Sequence, residues 1–196
     1  MNTITYIFIG GFLVLIFYFI AIFNNLIRLK NQFKNAFSQI DVQLKRRYDL
    51  IPNLVETAKG YMKHERETLE AVIKARGNAE SARKNAARDP GNQGSMQQLM
   101  EAEASLSGIL GRLFALSESY PELKADQTIR DVMEELKTTE NRIAFSRQAY
   151  NDSVMSYNTA MEVFPNNFVA NLFAFKQAGL WTSETKAERQ AVKVSF

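Results

Sequence analysis

The sequence contains no cysteine, and it has a single histidine, four prolines and nine glycines among its 196 residues. Without cysteine there can be no disulfide scaffold, no thiolate metal site and no cysteine nucleophile. Since His64 is the one histidine, multi-histidine metal sites are excluded as well. The formal net charge of +3 is too small to predict binding to nucleic acid. We therefore expect no cysteine-based or multi-histidine metal site and no nucleic-acid partner.

Charged side chains are also missing from one long stretch near the amino terminus. Residues 4–23 carry no charge, and fourteen of these twenty residues are Ile, Leu, Val or Phe. As a helix the run is about 30 Å long, which matches the hydrocarbon core of a bilayer. It is too long for the core of a signal peptide, no Lys or Arg precedes it, and no A-x-A cleavage motif follows. We predict a transmembrane helix that anchors the chain in the lipid bilayer through residues 4–23.

The basic residues around this run predict its orientation. Only residues 1–3 precede the run, whereas Arg28, Lys30 and Lys34 follow it before the first acidic residue, Asp41. Basic residues close to a span favour the cytoplasmic side of the membrane. We expect a single-pass protein of the inner cell membrane, with its amino terminus outside and its carboxyl-terminal domain in the cytoplasm.

The remaining sequence has the apolar spacing of helices rather than of strands. Apolar residues three and four apart predict helices over residues 26–48, 50–88, 96–118 and 129–164. The last of these has the alternating spacing of a coiled-coil seam, interrupted at Glu140 and Arg147. Amphipathic helices joined by short breaks predict an antiparallel bundle. The predicted fold is all-α: an amino-terminal transmembrane helix followed by an antiparallel four-helix bundle with long helices.

Punctuating residues predict where these helices begin and end. Asp49 is typical of a helix N-cap, with Pro52 in the first turn, and Ser95 is typical of another. Residues 89–94 and the pair Tyr120-Pro121 predict turns. We divide the chain into an anchor over residues 1–25, a bundle over 26–165 and a carboxyl-terminal docking segment with a tail over 166–196.

Two blocks of the sequence resemble the motifs of a known family. The first runs from Ile40 through Val55 and continues to Arg76, and the second includes Glu140-Asn141-Arg142, Tyr150-Asn151, Tyr157-Asn158 and Phe164-Pro165. These blocks resemble LemA family proteins, and Phe173-Ala174-Phe175-Lys176 is similar to a later segment in which Gly more often stands at the place of Ala174. The resemblance implies a bacterial, membrane-anchored helical bundle, and it implies no agreed enzymatic activity or cofactor.

The Lys45-Arg46-Arg47 cluster is the strongest concentration of positive charge in the sequence. One interpretation is a binding site for anionic headgroups or for an acidic partner. The other is structural: Lys45 would pair with Asp41 and Asp49 at four-residue spacing, and the arginines would meet acids on a neighbouring helix, Glu140 among them. The structural interpretation is favoured, because the cluster lies about 33 Å beyond the predicted span if the helix is straight.

His64 is the first candidate for a catalytic or metal-binding residue. A zincin motif would need a second histidine at the position of Thr68, and a ferritin-like site would need Glu at the position of Tyr61. Both spacings fail, so we expect His64 to be a polar surface or interhelical residue, and we predict no catalytic, cofactor-binding or metal-binding residues.

The final thirty residues contain apolar side chains that predict a contact, either with the end of the bundle or with another protein. Apolar residues after Pro165 either fold back onto the bundle end, which is favoured, or form a docking surface; they include Phe168, Leu172, Phe175, Leu180 and Trp181. The terminal residues Val192–Phe196 alternate as an edge strand would, which makes Val194 and Phe196 further candidates for partner binding. Asn151 and Asn158 each follow a seam tyrosine, and we predict that they fix the register between helices.

Three functions compete on these observations. The first is a non-enzymatic scaffold or adaptor that presents the bundle to an unidentified membrane or cytoplasmic protein. The second is a self-assembling structural protein, a homo-oligomer that uses the seam of the fourth helix. The third, an enzyme using His64 and carboxylates, is disfavoured by the failed motif spacings.

Overall fold

The computed structural model describes residues 3–182, apart from the side chain of Thr5. Within these residues the chain forms helices and no strand, so the all-α prediction is confirmed. The elements follow in the order α1 (Thr3–Tyr61), α2 (Arg66–Arg88), α3 (Gln93–Ser117), α4 (Pro121–Ala125), α5 (Gln127–Glu162) and α6 (Asn166–Leu172).

The first helix continues without a break from the apolar run into the part of the protein where the helices pack together. We call this part, from residue 22 onward, the body. α1 contains 59 residues, which corresponds to about 88 Å. Its described side chains are exposed from Thr3 to Ala21, and burial begins at Ile22. Among the described residues, α1 is the one helix long and apolar enough to cross a membrane. An apolar run that the protein leaves uncovered is compatible with membrane anchoring.

The predicted helix start at Asp49 is wrong, because α1 continues through Pro52 to Tyr61. A proline inside a helix cannot donate a hydrogen bond to the carbonyl four residues before it. Here that carbonyl belongs to Tyr48, and its oxygen accepts a hydrogen bond from Arg76 Nε over 2.9 Å. The side chain of α2 thus supplies the donor that Pro52 lacks, and the two predicted helices over 26–48 and 50–88 become one helix up to Tyr61 and another from Arg66.

Side-chain contacts give the directions of the neighbouring helices. Arg83 of α2 binds Asp41, and Arg76 of α2 binds Tyr48, so α2 runs antiparallel to α1. Glu135 of α5 lies 2.7 Å from Arg46, whereas the later residue Tyr150 packs against Phe33 and Phe37. α5 therefore runs antiparallel to α1 as well.

The turns lie close to their predicted positions, with one different cap. The side chain of Asn92 accepts a hydrogen bond from the Ser95 backbone N–H, so Asn92 rather than Ser95 caps α3. The turn at Tyr120-Pro121 is confirmed, since α3 ends at Ser117 and α4 begins at Pro121. At the same end of the body, the Tyr61 hydroxyl donates to Asp126, which also caps α5.

The core is a continuous apolar interior formed by all the long helices. α1 contributes a stripe that alternates in steps of three and four residues across the site of Pro52: Leu44, Tyr48, Ile51, Val55 and Ala58. Met62, just after the helix, continues the stripe. The predicted seam of α5 is buried in the same core, through Ile129, Leu136, Ile143, Tyr150, Val154, Tyr157 and Met161. These seam positions are therefore covered by the protein's own chain, whereas Phe164, the last residue of the predicted seam, is 78% exposed.

The short helix α6 ends in a left-handed residue. Ala174 has φ of 52°, and the Phe175 N–H donates to the Ala170 carbonyl oxygen, which is the hydrogen-bond pattern of a Schellman motif. Glycine is the usual residue at this position of the motif, because a Cβ is strained at positive φ. The turn sends Phe175 back toward α1 while Phe173 stays exposed.

We expect the Ala174→Gly variant to gain about 0.5–1 kcal/mol in free energy of unfolding, since relief of the positive-φ strain exceeds the added chain entropy. The measurement is urea unfolding of the full-length chain in detergent micelles, followed by circular dichroism. Ala144→Gly, at an exposed position in the interior of α5, is the opposite control and should lose about 1 kcal/mol. Equal losses in both variants would contradict the strain at position 174.

Candidate functional site

Charged side chains from three helices meet inside the body. Nη1 of Arg47 on α1 lies 3.1 Å from Glu103 Oε2 on α3 and 3.0 Å from Glu140 Oε2 on α5. The Tyr48 hydroxyl donates a hydrogen bond to Glu103 Oε1, and Arg147 Nη2 lies 4.0 Å from Glu103 Oε2. We call these five residues the buried ion cluster. The predicted pairing of an arginine of the basic cluster with Glu140 is confirmed for Arg47.

Burial dominates the electrostatics of the buried ion cluster. Glu103 is 1% exposed and Arg47 is 3% exposed. Burial raises the pKa of the Glu103 carboxyl above its ordinary value, and the Arg47 charge and the Tyr48 hydrogen bond counter part of this rise. Burial, together with the nearby Glu103, also raises the pKa of the Tyr48 hydroxyl. That hydroxyl therefore stays protonated and can act as the donor.

The hydrogen-bonding groups of Arg47 and Glu103 already have partners within the protein. Arg47 Nη2 donates to Ser107 Oγ over 2.9 Å, and both oxygens of Glu103 have donors. A ligand would have to displace these partners to reach Glu103, which leaves a buried charge without its counter-charge. The geometry suits a clamp that holds α1, α3 and α5 in register.

The other two members of the basic sequence cluster point to solvent. Arg46 is half exposed and pairs with Glu135. Lys45 is exposed, and among residues 3–182 it has no carboxylate partner. The predicted pairing of Lys45 with Asp41 and Asp49 is wrong, because Asp41 binds Arg83 of α2 instead. Partner binding by Lys45, Arg46 and Arg47 stays a prediction, and Arg47 is not accessible for it.

His64 lies exposed in the turn between α1 and α2, away from the buried ion cluster. Within the described part of the chain, no group of three or more His, Asp and Glu side chains is arranged to hold a metal ion. The absence of catalytic, cofactor and metal residues stays a prediction.

The apolar candidates of the carboxyl-terminal segment divide into two groups. Trp181 is buried and stacks on the Arg147 guanidinium at 4.5 Å, and Phe175 packs against Phe23 at 5.7 Å. Phe168 and Leu172 are exposed on α6. The candidates Val194 and Phe196, and the edge strand proposed for them, lie outside the described residues.

Polar residues of α5 bind the backbone that follows α6. Asn151 binds both the N–H and the carbonyl of Trp181, at 2.7 and 2.8 Å, and Asn158 binds both groups of Ala178, at 2.9 Å each. The hydroxyls of Tyr150 and Tyr157 donate to the carbonyls of Gly179 and Lys176, respectively. We call these four residues of α5, the two asparagines and the two tyrosines, the α5 clamp. The prediction that these asparagines fix register between helices is wrong, because their partners are backbone groups of a non-helical segment.

We expect Asn151→Ala to weaken the docking of Trp181 by about 2 kcal/mol, because two hydrogen bonds are lost and two backbone groups lose their partners. Trp181 is the sole tryptophan, so its fluorescence reports the docking directly. Its emission should shift to longer wavelength and become more accessible to acrylamide. Asn141→Ala, an exposed position on the same helix, is the matched control and should change neither. A buried tryptophan in Asn151→Ala would contradict the clamp.

A second surface lies at the end of the body remote from the apolar run. Beside the turn that joins α1 to α2, residues of both helices line a groove of about 700 Å³, which we call the distal groove. Its floor is apolar and its rim is basic; it is lined by Val55, Lys59, Met62, Lys63, Arg66, Leu69, Glu70, Ile73 and Lys74. Arg66 binds Glu70, whereas Lys63 and Lys74 have no carboxylate partner within residues 3–182.

The model of the LemA family matches residues 36–196, which is most of the chain. The chain belongs to the LemA family. The match includes every residue of the buried ion cluster and of the α5 clamp.

Named relatives of this LemA-family chain fall into two groups. It is similar to the protein LemA of Metamycoplasma hominis, with 29% identity over 79% of this chain and 67% of that protein. It is also similar to the magnetosome protein MamQ of Magnetospirillum gryphiswaldense, with 33% identity over 44% of this chain, and to MamQ 1 of Paramagnetospirillum magneticum, with 34% over 45%. The match spans about a third of the length of these MamQ proteins, 32% in each.

The sequence blocks that resemble the LemA family motifs supply most of the two polar sites. The first block contains Arg47 and Tyr48, and the second contains Glu140 and the four residues of the α5 clamp. Glu103 was missed. Its signal is its place in the apolar stripe of α3, four residues after Leu99 and three before Leu106, where a carboxylate needs a buried partner.

Proposed function

We propose that this LemA-family protein is a membrane-anchored, non-enzymatic helical scaffold that presents its body to protein partners. The observation that carries the proposal is the continuity of α1, in which the exposed apolar run and the buried stripe of the body form one helix. From Ile22 to Tyr61 this helix extends about 60 Å. A body built around such a rod keeps a fixed orientation and distance relative to the membrane, as a scaffold requires.

The proposed body is an antiparallel four-helix bundle of α1, α2, α3 and α5 on the cytoplasmic side of the inner membrane. Contacts of α2 and α5 with α1 support the antiparallel arrangement. The basic residues Arg28, Lys30 and Lys34 that follow the apolar run support the cytoplasmic side.

Orientation can be tested with a single cysteine, since the chain has none of its own. Ser119 is exposed in the turn after α3. A membrane-impermeant maleimide should label Ser119→Cys only after the cells are permeabilised. Labelling in intact cells would place the body on the opposite side of the membrane.

The distal groove is the surface that we propose for the partner. An apolar floor framed by Lys63 and Lys74 suits an amphipathic helix whose polar face is acidic. Its distance from the membrane end of the body favours a cytoplasmic partner, or the cytoplasmic part of a membrane protein. The charge of the rim provides attraction and orientation, while the floor provides apolar burial.

In-cell photocrosslinking tests this proposal on the full-length protein. A benzoyl-phenylalanine replaces Ile73, which is 43% exposed in the groove, or Phe145, which is 75% exposed on α5. We expect a discrete adduct with another protein from position 73 and none from position 145. Replacement of both Lys63 and Lys74 by Glu should abolish the adduct. Arg142→Glu, at an exposed position of α5, should preserve it.

Three outcomes would count against the scaffold. Identical adducts from positions 73 and 145, or an adduct indifferent to the Lys63→Glu and Lys74→Glu changes, would show that the groove does not bind the partner. An adduct with a second copy of the chain would favour the self-assembling alternative. The structure gives that alternative little support at α5, because the seam it would use is buried within one chain.

A further inference from the structure

We propose that α6 contacts the lipid bilayer directly, with its exposed apolar face in the headgroup region on the side where the body lies. The inference rests on the membrane anchoring proposed above. The contact surface consists of Phe164, Phe168, Leu172 and Phe173, which we call the α6 patch. With the apolar run of α1 it would give the protein two points of attachment to one bilayer.

The four large apolar side chains of the α6 patch are more than half exposed, which is unfavourable in water. The exposed fractions are 78% for Phe164, 62% for Phe168, 73% for Leu172 and 55% for Phe173. Phe168 and Leu172 are four residues apart in α6 and so share one helix face, and the ring of Phe164, which precedes α6, lies 5.9 Å from the ring of Phe168. The face opposite Phe168 and Leu172 is apolar too, since Ala170 is buried in the body. A helix with apolar residues on both faces requires an apolar neighbour on each.

The position of the α6 patch identifies that neighbour. The ring of Phe173 lies 4.7 Å from the ring of Phe23, the last residue of the apolar run. Ile22, one residue earlier in the run, is already covered by the body and is 6% exposed. Through Phe173 the α6 patch thus reaches the final turn of the apolar run, whose residues before Ile22 are exposed.

The surrounding side chains have the chemistry of a membrane interface. Aromatic rings concentrate at headgroup depth, and basic residues lie just beyond it. Lys30 lies over the Phe175 ring at 5.9 Å, two turns beyond Phe23 along α1, and Arg28 is exposed between them. A bilayer explains the aromatic surface, the adjacent cations and the continuity with α1 together, whereas a protein partner would have to dock at the level of the lipid headgroups.

Depth-dependent fluorescence quenching tests the proposal with the full-length chain in liposomes of phosphatidylcholine and phosphatidylglycerol. Because the protein lacks cysteine, a bimane label can be placed at one site at a time. The test sites are Leu172→Cys and, as a second position on the same face, Phe168→Cys. Phe12→Cys in the apolar run and Phe145→Cys on α5, 64% and 75% exposed, are the membrane and solvent controls.

Shallow spin-labelled lipids, with the nitroxide near the headgroup, should quench positions 168 and 172 several-fold more than position 145. Deep spin-labelled lipids should quench position 12 most. If position 12 is quenched while 168 and 172 behave like 145, the contact of α6 with lipid is refuted and the anchor stands. If position 12 is not quenched, both are refuted. Shielding of 168 and 172 from aqueous iodide without quenching by lipid would point to a protein neighbour and would also refute the proposal.

Discussion

Replacement of Arg47 by methionine is expected to lower the free energy of unfolding by about 3–5 kcal/mol, the cost of removing one partner of a buried ion pair. Methionine fills a similar volume, so the loss reflects the Glu103 carboxylate that remains buried rather than a large cavity. Arg147, at 4.0 Å, is too far away to replace the contacts that Arg47 makes. The measurement is urea unfolding of the full-length chain in detergent micelles.

Two controls separate the buried ion cluster from charge removal in general. The double variant Arg47→Met with Glu103→Gln should recover most of the loss, because the charge left unpaired is removed and the Tyr48 hydroxyl keeps an acceptor. Arg46→Met removes a neighbouring, half-exposed ion pair and should cost less than about 1 kcal/mol. Equal losses in Arg47→Met and Arg46→Met would show that the cluster does not stabilise the fold.

The pH dependence of the same variant follows from the raised pKa of Glu103. Between the ordinary carboxyl value of 4.5 and the higher pKa in the folded protein, the native state binds more protons than the unfolded state. Stability from this group therefore falls as pH rises through that interval. Loss of Arg47, whose charge lowers the pKa, widens the interval upward. The deficit of Arg47→Met relative to the wild type should be smaller at pH 4 than at pH 7.

Helical periodicity predicted most of the fold because it records which side chains are buried. The apolar stripe of α5 and the turn at residues 89–92 follow the sequence closely. At Pro52 two signals conflicted: the local pattern of a helix start, and the apolar stripe that continues from Tyr48 to Ile51 and Val55. The stripe prevails because Arg76 satisfies the Tyr48 carbonyl, a contact between distant residues that no local pattern contains.

The sites were less predictable than the helices, for two physical reasons. Backbone groups have no side-chain signature, so the partners of Asn151 and Asn158 could not be read from residue types. The distal groove depends on how α1 and α2 are placed on either side of the turn that joins them, which periodicity does not specify. The pairing of Arg47 with Glu140 was predictable because a charged residue in an apolar seam needs a counter-charge.

Replacement of Gly91 by alanine is expected to cost about 2–4 kcal/mol, from positive-φ strain and from overpacking. Gly91 has φ of +94°, and a Cβ there would lie 2.9 Å from both the Ala178 Cβ and the Phe33 ring. Its carbonyl also accepts the Gly179 N–H at 2.7 Å. The turn between α2 and α3 is thus packed against α1 and the segment held by the α5 clamp, and neither the Phe33 ring nor the Ala178 backbone can move away freely.

Gly77→Ala is the matched control for this prediction. Gly77 lies within α2, and a Cβ there would meet nothing within 4 Å, so alanine should stabilise the protein by about 0.5–1 kcal/mol through helix propensity. Opposite signs for the two substitutions are the expected result in urea unfolding. Because Gly91 contacts the clamped segment, its variant should also expose Trp181, with emission at longer wavelength, whereas Gly77→Ala should leave that emission unchanged. A Gly91→Ala variant with the stability and the fluorescence of the wild type would show that the turn does not pack against the carboxyl-terminal segment.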